Sequence, residues 1–415
     1  MQAPSTNVDL TDHFETVRQW VRDADFVLVG AGAGMSVEAG NDYNDKVDFA
    51  RRFPAMVERG FTHPYQLVGF HDWESPELMW GYLGMHMNHV LEMPPHEPTY
   101  GTLLRLLRGK DTFVVTSNVD EFFVKNGFDP ARIYTPQGSF NYIQCLKPCR
   151  ADAVWPAKDA LATIKATVDL ATQCVPSKSV PTCPHCGGAT MANVRGGSWF
   201  LETQYKAGQD KLAQWLAHVE KELKQSEATA APKTLLVLDL GCGFNTPTGA
   251  WCCSAERVLW LGVVRTAWRC APLPAAATLF GQYLPVLCAR GSASSMFAHS
   301  ALASFAVVRL RTERIAARLA PRARFVRVNP VHAFMHYPGF EQGGAAADCA
   351  VALPTTVVGA MKGLQGVTPE IEGEGASVAA EGSHTLISGV DAPRHARGAI
   401  AGAGGAGAGH SCGMS

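Results

Sequence analysis

The chain has 415 residues, a formal net charge of −1 at pH 7 and 18% charged residues. This length allows two domains, or one large α/β domain with additions. A nearly neutral chain has no overall field that would draw it to nucleic acid or to an anionic membrane, so we expect neither as a partner. Residues 1–14 lack the basic and apolar stretches of a secretory signal.

Four short apolar runs predict strands at residues 25–30, 112–116, 234–240 and 324–329. Helical patterns lie between them, and the clearest covers residues 208–225. Alternating strands and helices predict an α/β fold, a Rossmann-like parallel sheet with helices on both faces. Ligands of such sheets bind beyond the carboxyl ends of the strands, where the polar motifs of this chain lie.

A glycine-rich turn follows the first predicted strand. Gly30, Gly32 and Gly34 precede Ser36, and glycines let a backbone approach a pyrophosphate closely. The spacing is not the G-x-G-x-x-G of dehydrogenases, so an ordinary strand-to-helix turn remains an alternative.

A polar loop at residues 116–120 (Thr-Ser-Asn-Val-Asp) follows the second predicted strand. The amide of Asn118 and the carboxylate of Asp120 can bind one polar ligand from the same loop. A turn stabilised by these side chains is the alternative. Gln137, before Gly138, carries no signal by itself.

Four of the twelve cysteines form two close pairs, Cys145 with Cys149 and Cys183 with Cys186. Paired thiolates are typical ligands of a structural tetrahedral zinc ion, so we predict bound Zn²⁺ in a small lobe. Four unrelated buried cysteines, or Cys174 in place of one ligand, are the alternatives. Metal-binding thiols also favour a reducing compartment such as the cytoplasm.

In chain order these motifs resemble the NAD-dependent sirtuin family. Residues 32–40 match its Gly-Ala-Gly-Ile-Ser-x-x-x-Gly loop, and residues 116–120 match its Thr-Gln-Asn-Ile-Asp segment, with Ser117 for glutamine. The cysteine pairs and a late strand ending at Asn329 follow in the same order. The resemblance extends over about residues 10–248 and 311–335.

The chain departs from most sirtuins at two places. Gln137 replaces the histidine that serves sirtuin deacylases as a general base, and a neutral carboxamide cannot take up a proton. Residues 241–247 read Gly-Cys-Gly-Phe-Asn-Thr-Pro. Both features resemble the class M sirtuins of microbes, a branch associated with protein mono-ADP-ribosylation, macrodomain partners and lipoyl-carrier targets.

The resemblance implies an NAD-dependent transferase that releases nicotinamide and modifies a protein acceptor. Asn118 and Asp120 would bind the nicotinamide ribose and carboxamide, and Gln137 would position the acceptor. The implied catalytic residues are therefore Asn118, Asp120 and Gln137. The implied NAD contacts are Gly32, Ala33, Ser36, Gly40, Ser117, Asn118, Asp120, Gly241, Cys242, Gly243, Asn245 and Asn329. The partners that it implies are a lipoyl-carrier acceptor and a macrodomain hydrolase.

Three other functions remain open at this level. Residues 237–243 resemble the S-adenosylmethionine loop of methyltransferases, although Asn245 stands where its third glycine belongs. A conventional deacylase could tolerate Gln137, and a catalytically dead protein could bind NAD only.

The chain is uneven in composition. Residues 249–310 hold a single acidic residue, Glu256, which indicates an anomalous insertion: a retained intron, a gene-model error or a genuine loop. The Gly/Ala-rich composition from residue 346 predicts a disordered tail. The predicted domains are an NAD-binding domain (1–140, 198–248 and 311–345), a zinc-binding lobe (141–197), the insertion (249–310) and the tail (346–415).

Overall fold

The computed structural model describes residues 10–67, 72–197, 199–243, 307–320, 322–330 and 349–365. Asn245, nearly all of the predicted insertion and most of the predicted tail lie outside the described residues.

A six-stranded parallel sheet forms the centre of the larger lobe. Its strands are β1 (Phe26–Ala31), β2 (Asp111–Thr116), β3 (Ile133–Tyr134), β7 (Leu235–Leu240), β8 (Ala323–Val328) and β9 (Ala350–Leu353). They lie in the order β3-β2-β1-β7-β8-β9. The four strands predicted from apolar runs are all present, which confirms the predicted parallel sheet. Both edge strands, β3 and β9, were not predicted.

Helices cover both faces of this sheet, as predicted. The helices of the described residues are α1 (Thr11–Asp23), α2 (Gly34–Val37), α3 (Lys46–Arg52), α4 (Pro54–Glu58), α5 (Pro76–Glu92), α6 (Thr102–Leu106), α7 (Phe122–Lys125), α8 (Lys158–Thr167), α9 (Lys206–Gln225), α10 (Val307–Leu319) and α11 (Val357–Leu364). Within this set no helix is long and apolar enough to cross a membrane.

The pleat of β1 shows how the two faces are built. Val27 and Val29 point into a core shared with α1 and α11. Phe26 and Leu28 point into the opposite core, shared with α9 and α10. A strand buried on both faces reads as a continuous apolar run, which is why β1 was recognisable in the sequence.

The predicted tail is wrong for residues 349–365. Residues 350–353 form β9, which pairs in parallel with β8, and residues 357–364 form α11. The carbonyl of Gly363 accepts hydrogen bonds from the Arg18 guanidinium at 3.0 and 2.7 Å, which ties α11 to α1. Glycine and alanine dominate the average composition, but the apolar residues among them have strand and helix spacing. These are Val351, Leu353, Val357, Met361 and Leu364.

The helix that follows the predicted insertion begins at Val307, four residues before the predicted resumption at residue 311. The last residues of the range 249–310 therefore belong to α10. The rest of that range lies outside the described residues.

A smaller lobe is built on an antiparallel sheet in which β4 (Gly138–Cys145) lies between β5 (Val154–Pro156) and β6 (Thr190–Val194). Helices α5 and α8 pack beside it around a core that contains Trp80, Ile143 and Ile164. Strand β4 runs from Gly138 to Cys145, so one strand links the polar loops of the larger lobe to the cysteine cluster.

Candidate functional site

The site lies at the carboxyl ends of β1, β2 and β7. The chain leaves β1 toward β2 on one side and later returns to β7 on the other, which makes the gap between β1 and β7 the topological switch point of the sheet. Open α/β sheets bind ligands at this point, and the order matches that of dinucleotide-binding folds.

Two glycine loops pack against each other across the switch point. The N–H groups of Gly32 and Gly34 donate to the carbonyls of Leu240 and Gly241, each at 3.1 Å. A Cβ on Gly32 would lie 2.8 Å from the Cα of Cys242, and a Cβ on Gly34 would lie 2.9 Å from the Cα of Gly241. Glycine is therefore required because the two backbones approach each other closely.

Gly241 provides a direct test of this packing. Its φ is +63°, and a Cβ there would lie 2.4 Å from the backbone nitrogen of Met35. We expect Gly241→Ala to lower the free energy of unfolding by about 2–4 kcal/mol, because strain and a backbone clash act together. Urea unfolding measures this loss. Gly60→Ala is the control, since Gly60 has φ +89° with nothing within 4 Å; an equal loss in both variants would contradict the packing argument.

A buried polar network lies beside the glycine loops. Asn118 donates from Nδ2 to the carbonyl oxygen of Gly32 at 2.9 Å and to Ser36 Oγ at 3.0 Å. The Ser36 hydroxyl donates to Asp120 Oδ2 at 2.7 Å and lies 2.8 Å from the Tyr100 hydroxyl. Since the Ser36 proton goes to Asp120, Tyr100 is the donor in the second contact. The network thus joins the loops after β1 and β2.

Asp120 is the charged member of this network. It is 3% exposed, and burial raises the pKa of its carboxyl, against the hydrogen bonds from Ser36, the Phe122 backbone N–H and Asn41, which lower it. Asn41 Nδ2 lies 3.4 Å from Asp120 Oδ2. A buried, oriented carboxyl of this kind can stabilise positive charge that develops on a bound ligand.

Tyr100 and Asn41 belong to the network but were not predicted. Asn41 directly follows Gly40, which ends the loop with φ +88°, so its position beside the matched motif was a usable signal. Tyr100 lies in a segment without any motif, and no signal could have found it.

Gln137 lies directly before β4. Its side chain is 3% exposed, and its Nε2 has no hydrogen-bond partner in the part of the chain that the structure describes. The following residue, Gly138, has φ +98°, and a Cβ there would lie 2.1 Å from the carbonyl oxygen of Asn193. The backbone is therefore tightly packed at Gly138, next to the Gln137 side-chain amide, which is available to bind a ligand.

The other predicted contacts are placed along the same edge. The Ser117 backbone N–H donates to the Ala31 carbonyl at 3.0 Å. Asn329, after β8, donates from Nδ2 to the Cys242 carbonyl at 3.2 Å. Ala33 precedes α2, and Gly243 is the last described residue after β7.

The four predicted metal ligands converge. The sulfur atoms of Cys145, Cys149, Cys183 and Cys186 all lie within 4.8 Å of one another. The Sγ atoms of Cys145 and Cys186 are 3.8 Å apart, and those of Cys149 and Cys183 are 3.7 Å apart. Tetrahedral Zn–S bonds of about 2.3 Å place sulfur atoms about 3.8 Å apart, so the cluster fits zinc.

The second cysteine pair has the local geometry of a metal-binding turn. The Gly187 N–H donates to the Cys183 carbonyl at 2.8 Å, and the Gly188 N–H points at Cys186 Sγ at 3.4 Å. Such N–H groups stabilise a thiolate. His185 is exposed, and Cys174 lies instead in the apolar cluster around Phe49, outside the quartet.

No family model matches the chain. The chain is 43% identical over 234 residues to a "Probable bifunctional ADP-ribose hydrolase/ADP-ribosyltransferase" of Fusarium oxysporum f. sp. cubense, over 55% of this chain and 37% of that protein. It is 25% identical over 238 residues to a "Protein ADP-ribosyltransferase" of Staphylococcus aureus, over 57% of this chain and 71% of that protein. These relatives, both named as ADP-ribosyltransferases, confirm the resemblance that the motifs predict. The chain spans only about two fifths of the fungal relative.

Solved structures were also found. A Sir2 homologue in complex with NAD shares 15% identity and a TM-score of 0.40, over 88% of this chain and 94% of that one. A Sir2 protein bound to a propionylated peptide shares 15% identity and a TM-score of 0.38, over 84% and 95%.

Proposed function

We propose that this protein is an NAD-dependent ADP-ribosyltransferase that releases nicotinamide and modifies a protein acceptor. The observation that supports this most is the Asn118–Ser36–Asp120 network, which contacts the glycine loop after β1 at the switch point of the sheet. The relatives' names give the same activity, and the fungal relative is 43% identical over 234 residues.

In the proposed reaction NAD binds across the two glycine loops, with its nicotinamide ribose beside Asn118 and Asp120. The bond from C1′ to the nicotinamide nitrogen breaks, and its electron pair neutralises the pyridinium. Positive charge then develops on the ribose, where the Asp120 carboxylate stabilises it. An acceptor side chain attacks C1′, and the free amide of Gln137 orients it.

The finer assignments are also part of the proposal. The cysteine quartet would hold a structural Zn²⁺ in a closed tetrahedron, which requires reduced thiols and therefore a reducing compartment. The acceptor would be a lipoyl-carrier protein, with a macrodomain hydrolase to reverse the modification. Ser36, Gly243, Asn245 and Asn329 would hold the adenosine half of NAD.

Incubation with labelled NAD tests this function. We expect label on a lipoylated carrier protein, detected as ADP-ribose by mass spectrometry, with one nicotinamide released for each transfer. An acetyl-lysine peptide converted to acetyl-ADP-ribose would instead identify a deacylase. Calorimetry that shows binding of S-adenosylmethionine but not of NAD would identify a methyltransferase. Binding of NAD with no turnover would identify a dead enzyme.

A further inference from the structure

Glu121 holds a backbone conformation that favours glycine. It follows Asp120 directly, and its φ is +63°, in the left-handed region. In the part of the chain that the structure describes, Gln173 is the only other non-glycine residue with a positive φ. A side chain raises the energy of this conformation. Backbone strain of this kind is concentrated at functional sites, which points to a role for Glu121.

The strained backbone directs the Glu121 carboxyl across to β4. The Ser139 hydroxyl donates to Glu121 Oε1, and the Asn141 side chain also bonds the carboxyl. Ser139 lies two residues after Gln137. Glu121 therefore connects the loop that carries Asn118 and Asp120 to the strand that directly follows the predicted acceptor-binding amide.

Several charged and titratable groups face this carboxyl. Burial raises the pKa of Glu121, the Ser139 hydrogen bond lowers it, and the negative charge of Asp120 on the same loop raises it further. Lys125 of α7 lowers it, while its own Nζ donates to the Val90 carbonyl at 2.8 Å. Tyr205, before α9, is close enough for the Glu121 charge to raise its pKa.

A hydrogen-bond partner of this carboxyl lines a cavity that opens to solvent. Asn141, its hydrogen-bond partner, lines a cavity of about 710 Å³ between α5, α8 and β4. Lys158 and Lys165 line the same cavity. An acceptor side chain that enters this cavity reaches Asn141, which contacts the Glu121 carboxyl directly.

We propose that Glu121 is the catalytic residue that takes the proton from the acceptor's nucleophile. The inference rests on the proposed function. The acceptor oxygen or nitrogen forms a bond to C1′, the bond to nicotinamide breaks, and the proton of the acceptor group moves to the Glu121 carboxylate. Gln137 cannot serve in this way, since a neutral amide has no useful basicity.

Nucleophiles with and without a proton separate this role from a structural one. The probes are methanol, which must lose a proton, and azide, which has none; both are supplied to the full-length protein with NAD. We expect Glu121→Gln to reduce methanolysis of NAD by about a hundredfold or more. Capture by azide should stay within about threefold of the unchanged protein, and the KM for NAD should not change.

The pH profile gives a second readout. Asp120 must be ionised for capture of either nucleophile, so the informative quantity is the ratio of methanolysis to azide capture. A protonated carboxyl cannot accept a proton, so this ratio should fall in the unchanged protein as the pH drops through the raised pKa of Glu121. The ratio should not depend on pH in this way in Glu121→Gln. The control is Glu74→Gln, an exposed carboxyl paired with Arg59, which should keep both the rate and the pH dependence of the ratio. An equal loss of methanol and azide capture, or a ratio that still falls at low pH in Glu121→Gln, would overturn the role.

A third variant excludes simple misfolding. Glu121→Gly relieves the left-handed strain but also removes the acceptor of the Ser139 and Asn141 hydrogen bonds, so we expect Tm to stay within about 4 °C of the unchanged protein while methanolysis is lost. A folded variant with full methanolysis would overturn the proposal. Failure of the proposed function looks different, since the unchanged protein would then release no nicotinamide with either nucleophile.

Discussion

Replacing Asn118 with alanine is expected to reduce nicotinamide release from NAD by about a hundredfold to a thousandfold. The side chain donates two hydrogen bonds, to the Gly32 carbonyl and to Ser36 Oγ. Its loss removes the link between the loop after β1 and the loop after β2. The hydroxyl that orients Asp120 is then free to rotate, so the carboxylate no longer lies where positive charge develops.

The measurement is nicotinamide release followed by chromatography, together with NAD binding by calorimetry. Asn126→Ala is a matched control, because Asn126 also donates from its amide to a backbone carbonyl, that of Phe122 at 2.7 Å, but outside the network. We expect the control to keep its rate. Turnover by Asn118→Ala within tenfold of the unchanged protein would remove this network from the mechanism.

Asn118→Asp refines the same test. The aspartate keeps the shape of the side chain but cannot donate to Ser36, and it places a second carboxylate near Asp120. We expect a loss as large as that of the alanine variant, because two buried like charges disfavour ionisation of both. If shape alone mattered, this variant would retain most of the activity.

The sheet was predictable because its central strands are buried on both faces. Runs such as residues 234–240 are apolar throughout, and composition identifies them without any partner. The edge strands carry no such signal. Strand β3 has two residues, Ile133 and Tyr134, and β9 lies within a Gly/Ala-rich segment whose average composition hides its alternation. Whether a short segment pairs at the edge depends on the exposed backbone groups and side chains of the neighbouring strand, and its own sequence does not contain that information.

The cysteine quartet and the two polar loops were predictable for a different reason. Their residue types and spacing constrain the chemistry before the fold is known. The contacts of Tyr100 and Glu121 were not, since each depends on a tertiary approach. Glu121 illustrates this well: in the sequence it is one more acidic residue after Asp120, and only the left-handed backbone aims it at β4.

Removal of the proposed zinc ion is expected to have the largest effect on stability. The core around the quartet is small: Cys145, Ala153 and Cys183 are buried there, with Trp155 and Leu201 packed against them. So few apolar side chains cannot hold the end of the lobe together. Zinc bound to such sites contributes on the order of 10 kcal/mol at neutral pH, and that binding energy is folding energy.

Cys186→Ser is the variant that tests the metal. Its sulfur lies 3.8 Å from that of Cys145 and accepts the Gly188 N–H, so its loss opens one corner of the tetrahedron. We expect bound zinc, measured by elemental analysis, to fall from about one per chain toward zero. Protease cleavage within residues 141–197 should then become rapid. Cys349→Ser is the control, since Cys349 is buried beside Arg324 and away from the quartet, and it should retain its zinc.

Loss of zinc should also affect the part of the site that binds the acceptor. Gln144, next to Cys145 on β4, accepts from Asn193 Nδ2 at 2.6 Å and donates to the Trp199 carbonyl at 2.7 Å. The first bond connects the cysteine end of β4 to β6, and the second connects it to the segment before α9, while Gln137 precedes the other end of the strand. We therefore expect transfer to a protein acceptor to fall more steeply than NAD binding when zinc is chelated. If protease resistance and transfer both persist after complete chelation, the quartet stabilises neither the lobe nor the site.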